Sequence, residues 1–170
     1  MFTLSMVEYF KIILIKRLFV NFSKVSIDGT IQEVIKSLFD MDLEINGDWG
    51  YSKKLATIIQ DNKSMPIAQQ EQMVVSMRSY IEMNITKDKE DRYAGINVKE
   101  INREEIVEEN IIYHKIRYEI TAILESKYKK LMKEYKNGYE TEEFDMTKHF
   151  KERKKETLIR IEDYWFILQS

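Results

Sequence analysis

Asn110–Lys136 reads NIIYHKIRYEITAILESKYKKLMKEYK. Its apolar side chains fall at Ile112, Ile116, Ile120, Ile123, Leu124, Tyr128, Leu131 and Tyr135. Steps of three and four place these on one face of a helix. The stretch contains no glycine and no proline, the residues that break helices. A helix of this length with one apolar face buries that face against another element.

The neighbouring signals extend the helical reading. Asn102 can cap the segment, with Glu105 three residues on, which predicts a long helix from Arg103 to Lys136. Asn137-Gly138 ends it, because glycine takes the left-handed conformation that helix ends favour. Thr141, followed by Glu142 and Glu143, begins another helix that runs to Leu168. Its apolar face is Phe150, Leu158, Ile161, Trp165 and Leu168. The two form an antiparallel hairpin.

Upstream, Thr30-Ile31-Gln32-Glu33 is a capping box opening a helix to Met41, with Ile31, Val34, Ile35 and Leu38 inward. Asp42–Tyr51 is a loop marked by Asn46-Gly47 and Gly50, and Ser52 caps a short helix through Gln60. Pro66 suits the first turn of a helix running to Met83, with Met73, Val74, Met77, Tyr80 and Ile81 apolar. Thr86–Lys99 is the most polar and least periodic stretch, the expected mobile loop. With one proline and five glycines in 170 residues, turn-rich all-β folds are disfavoured. The expectation is one all-α domain, a five- to six-helix bundle with the Arg103–Leu168 hairpin as its spine.

Composition narrows function by exclusion. A net charge of −2 gives no broad basic surface for nucleic acid. The absence of cysteine excludes disulfides, thiolate zinc sites, iron–sulfur clusters and cysteine nucleophiles, and fits an intracellular, cytoplasmic protein. Asp42, Glu44, Asn46, Gly47 and Asp48 imitate the start of a calcium-binding loop, but the twelfth position, which needs a bidentate glutamate, is Lys53. The two histidines, His114 and His149, have no partner at metal-ligand spacing, and Glu104, Glu105, Glu108 and Glu109 read as a solvated face. The glycines, at 29, 47, 50, 95 and 138, are too scattered for a phosphate loop, and no nucleophile elbow is present. No cofactor and no catalytic residue is expected.

What remains points to binding. Tyr9–Phe22, YFKIILIKRLFVNF, is strongly apolar yet carries Lys11, Lys16 and Arg17 within the run. It is too short and too charged for a membrane span and lacks the order of a signal peptide. Together with the hairpin it offers more apolar surface than a small bundle hides, which predicts docking to another protein or a second copy. Phe10, Phe19 and Phe22 would be anchors, with Lys16 and Arg17 at the rim. Residues 5–22 could alternatively lie on a membrane surface. The run Lys148–Lys155, with Lys151, Arg153 and Lys154, could meet phosphates of nucleic acid, or be a helix flank paired through Glu152 and Glu156.

Taken together, several elements follow a familiar order. A basic apolar segment, Ile13 to Phe22, leads to a helix and to Asp48-Trp49. Later the helix holding Tyr128 and Tyr135, the turn at Gly138 and a further helix reach Asp163-Tyr164-Trp165. In this layout most of the chain resembles the cytoplasmic tails of sodium/proton exchangers of the bacterial and plant salt-tolerance type. Those tails end near an uninterrupted Asp-Trp, which Tyr164 splits here. The membrane domain that carries transport in that family has no counterpart in these residues, and the resemblance assigns no residue role.

Overall fold

The computed structural model describes residues 22–60 and 65–169. Five strands form one mixed sheet, which overturns the all-α bundle. In chain order the elements are α1 (Ile31–Phe39), β1 (Ile45–Gly47), β2 (Thr57–Gln60), α2 (Ile67–Tyr80), β3 (Tyr93–Glu108), β4 (Ile111–Leu124), α3 (Glu125–Gly138), α4 (Met146–Glu156) and β5 (Leu158–Gln169). The sheet order is β1-β2-β5-β4-β3; β2 runs parallel to β5 and the other neighbours are antiparallel.

The correction turns on a property of the number four. Ile112, Ile116 and Ile120 share a helix face, but a step of four is also even, so they share a strand face equally well. The residues between decide. Ile116, Tyr118, Ile120 and Ala122 are buried, while Lys115, Arg117, Glu119 and Thr121 alternate with them and point the other way. This is the period of two of a half-buried strand, reinforced by β-branched isoleucines. The expected long helix is therefore a β3–β4 hairpin followed by α3.

The hairpin turn is Glu109-Asn110, both with positive φ (49° and 63°), between the paired Glu108 and Ile111. Two left-handed residues in succession make the turn whose twist matches the strands. Asparagine tolerates that conformation; glutamate bears a steric cost. Glu109→Asn with Asn110→Gly is therefore expected to stabilise the fold by roughly 0.5–1 kcal/mol in urea unfolding. No gain, or a loss, would contradict the turn geometry.

Local signals fared better where the structure is local. Thr30 and Glu33 form the reciprocal capping box, with Glu33 N–H donating to Thr30 Oγ1 at 3.2 Å and Thr30 N–H donating to Glu33 Oε2 at 2.8 Å. Ile31, Val34 and Ile35 are buried as expected, whereas Leu38 is exposed. Pro66 precedes α2, which continues through a wider turn, Ile81–Ile85. The expected short helix after Ser52 is a single tight turn at Lys53–Leu55, followed by β2. Tyr93–Lys99, within the expected mobile loop, is the first half of β3. The last expected helix stops at Glu156, and its remainder is β5.

Helices α1 and α2 cover one face of the sheet. The core between them holds Ile35, Ile45, Ile59, Val74, Val75, Ile81, Ile116, Ile120, Tyr164 and Phe166. On the opposite face Arg117 stands directly across from Asp163, with Nε donating to Oδ1 at 2.7 Å, and Lys115 Nζ is 3.4 Å from Asp163 Oδ2. Arg117 above all, then Lys115, holds the Asp163 carboxyl below the usual aspartate range. A lowered folded-state pKa stabilises above the unfolded value near 3.9 and loses that contribution as pH falls through the folded value. Asp163→Asn should therefore cost up to about 1 kcal/mol at pH 7 and progressively less below about pH 4. Urea midpoints at several pH values check this, and a pH-independent difference would refute the pairing.

Candidate functional site: a closed charged layer and a basic helical arm

The inner face of α2 is partly polar, which its sequence does not advertise. Gln70, Glu71, Arg78, Ser79 and Glu82 are buried, while Tyr80, expected on the apolar face, is 44% exposed. Arg78 and Glu82 are four residues apart, a spacing usually read as a surface ion pair. Here both lie under the sheet.

Four charges meet at that point. Arg78 Nε donates to Glu82 Oε1 and Nη2 donates to Glu162 Oε2, each at 2.9 Å. Arg160 donates through Nη2 to Glu82 and, at 2.6 Å, to Glu162 Oε2. Two guanidinium groups thus balance two carboxylates. The Arg78 guanidinium also lies between the rings of Tyr51 and Tyr164, 3.7 and 4.1 Å from their centroids, and Tyr51 Oη–H donates to Glu82 Oε1 at 2.6 Å. Burial, assisted by Glu82, pushes the Tyr51 phenol up, so it remains a donor.

A second cluster joins α2 to the hairpin. Glu71 Oε1 lies 2.6 Å from His114 Nδ1, and Oε2 accepts from Arg103 Nη1 at 2.7 Å. His114 Nδ1 also lies 3.0 Å from Arg103 Nη1, and its Nε2 faces Glu105 Oε2 at 3.6 Å. Arg103 also grips Glu100 through Nε and Nη2, at 3.1 and 2.8 Å. A carboxylate-oriented imidazole is the beginning of general-base geometry. In this place the imidazole is enclosed by Glu71, Arg103 and Glu105, which ties α2 to β3 and β4. Among the described residues no set of three histidine, aspartate or glutamate side chains is placed to hold a metal ion. In the calcium-like loop, Asp42 is paired with Lys36 and Asp48 accepts the Trp49 N–H.

The connection from β4 to β5 is different in kind. It is a two-helix arm, α3 and α4, rooted where Glu125 N–H donates to Arg92 O at 2.8 Å and where Lys127 pairs with Glu156. Tyr128 packs over Gly95, whose φ of 61° and bare Cα leave room for the ring. At the tip Phe144 occupies the space that a Cβ on Gly138 would need. Tyr135 joins the two helices, with its centroid 5.3 Å from Tyr139, 6.1 Å from Phe144 and 5.5 Å from His149.

Between the helices runs a cleft of about 230 Å³, lined by Tyr128, Leu131, Met132, Tyr135, Phe150 and Arg153 among others. Met132 and Phe150 are 41% and 49% exposed. The helices together carry ten cations and four carboxylates, a net +6. With the whole chain at −2, the remainder carries −8. Lys127, Lys129, Lys130 and Lys155 are ion-paired; Lys133, Lys136, Lys148, Lys151, Arg153 and Lys154 form no ion pair among the described residues.

The structure places Lys151, Arg153 and Lys154 together on exposed α4. Phe22 is half-buried, edge-on to Tyr93 at 5.5 Å and 4.9 Å from the Arg160 guanidinium carbon. Phe10, Lys16, Arg17 and Phe19 lie outside the described residues. Phe150, expected on an inward helix face, is 49% exposed here, and Met132 carried no expectation.

The molecule is thus a mixed α/β sheet with helices on one face and a basic helical arm between its last two strands. No family model matches the chain, and neither a curated protein nor a solved structure matches it.

Proposed function

We propose that this chain is a non-catalytic interaction module, an adaptor, inhibitor or subunit, that holds another protein on the α3–α4 arm. The observation that carries the reading is the placement of Met132 and Phe150, both well exposed, on opposite helices of one aromatic cleft. Exposed methionine and aromatic side chains around a concavity favour a macromolecular partner. The ionisable groups that could do chemistry support the same reading, because they neutralise one another inside the fold. Among the described residues no helix is long and apolar enough to cross a membrane.

The test uses the full chain immobilised against extract of its native cell, beside Met132→Asp with Phe150→Asp. A partner retained by the parent and reduced about tenfold or more by the double variant is expected. Thermal unfolding should change little, since both side chains are exposed. Equal retention by both proteins would remove the arm as the docking surface.

A second reading, nucleic-acid binding through Lys148–Lys155, draws support from the unpaired Lys148, Lys151, Arg153 and Lys154. It requires an affinity that falls steeply with added salt and is lost on reversing those charges.

A further inference from the structure

Resting on that reading, we propose that the α3–α4 cleft is a groove for an acidic amphipathic helix of the partner protein. The floor is apolar and aromatic, formed by Tyr128, Leu131 and Tyr135, with Met132 and Phe150 as its lips. An amphipathic helix inserts side chains at three- and four-residue spacing into such a floor and leaves its other face at the rim. The rim is basic. Arg153 lines the cleft itself, and Lys133, Lys136, Lys151 and Lys154 stand on the same two helices without acidic partners among the described residues. Cations left unpaired on a body that is otherwise net acidic complement a partner rich in glutamate and aspartate.

The same charge map favours a short acidic helix over nucleic acid. The loop joining α3 to α4 carries Glu140, Glu142, Glu143 and Asp145 and no cation. A phosphate strand following the arm would meet those four carboxylates and then the acidic body. A segment of a few turns docked at the cleft of Tyr128, Leu131 and Phe150 lies against a lining that holds Arg153 and no carboxylate. Single strands favour open aromatic stacking platforms beside cations; here aliphatic Leu131 lies between the two tyrosines of the floor and Met132 stands at its lip.

The experiment is fluorescence anisotropy on the full chain with a labelled peptide of about 16 residues, leucine at helical spacing and glutamate elsewhere. Its counterparts are the same peptide with lysine for glutamate and an oligothymidine of similar length. The acidic peptide is expected to bind about tenfold or more tightly than the basic one, and to weaken as salt is raised. Met132→Ser with Phe150→Ser, and separately Arg153→Glu with Lys154→Glu, should each lower its affinity about tenfold, with unchanged thermal unfolding. Three results would overturn the proposal: no preference for the acidic peptide, tighter binding of the oligothymidine, or a cleft closed by a second copy of the chain in light scattering. If a cellular partner depends on Met132 and Phe150 while the acidic peptide fails, the interaction reading stands and this inference falls. If no partner depends on them, both fall.

Discussion

Glu82→Ala lowers the unfolding free energy by about 3–5 kcal/mol, because it leaves two buried arginines facing one carboxylate. Glu82 is 1% exposed and accepts from Arg78, Arg160 and Tyr51. Removing it leaves Arg78 Nε and the Tyr51 hydroxyl without their acceptor and two arginines sharing Glu162, and an unpaired buried charge costs more than the pair it came from was worth. The companion variant makes the argument specific. Glu82→Met with Arg160→Met removes one charge of each sign and leaves Arg78 with Glu162, at 2.9 Å. Its cost should be smaller than that of Glu82→Ala by at least about 1 kcal/mol, despite two substitutions. Urea denaturation is the measurement, since guanidinium salt would screen the effect under study. A cost below about 1 kcal/mol for Glu82→Ala would mean that this cluster is solvated and does not join α2 to the sheet.

Phe166→Ala is expected to cost about 3–5 kcal/mol, and Trp165→Ala less than half of that. Phe166 is fully buried on the inner face of β5, between Thr57 of β2 and His114 of β4. Trp165 points to the opposite face, half-exposed, with Lys115 Nζ 5.8 Å from its ring centroid. The pair distinguishes strand from helix at this end of the chain. A helix with Leu158, Ile161, Trp165 and Leu168 inward makes Trp165 the anchor. A strand inverts the order and leaves Ile161 49% exposed. Equal costs, or a larger cost at Trp165, would contradict the observed register.

The elements legible in the sequence were those whose hydrogen bonds close within a few residues. Thr30 and Glu33 satisfy each other across three positions and Pro66 stands just before α2, whereas Gly138 lies inside the last turn of α3 without the left-handed conformation expected of it. The expected Arg103–Leu168 hairpin of helices is not present; α3 and α4 pack together as the arm between β4 and β5. The Glu109-Asn110 turn lacked the glycine that announces such turns, so the apolar run beyond it was joined to a helix. The candidate site divides the same way. The basic residues Lys151, Arg153 and Lys154 could be read from their spacing. The cleft beside them depends on which helix packs against which.

The charged layer under the sheet was invisible for a related reason. Arg78 with Glu82, and His114 four residues from Tyr118, look in sequence like solvated helix neighbours. Only when β5 brings Arg160 and Glu162 beneath α2, and β3 brings Arg103 beside His114, do these charges acquire partners that make burial tolerable.

The chain on its own therefore settled the Thr30–Glu33 cap, its lack of cysteine and the basic character of residues 148–155. Assembly in space decided the sheet, the inward face of α2 and the arm's cleft. A helix bonds to itself, so its evidence is local; a strand bonds to a partner. Here β2 pairs with a strand about a hundred residues away, and the side chains that each buries are chosen by that partner.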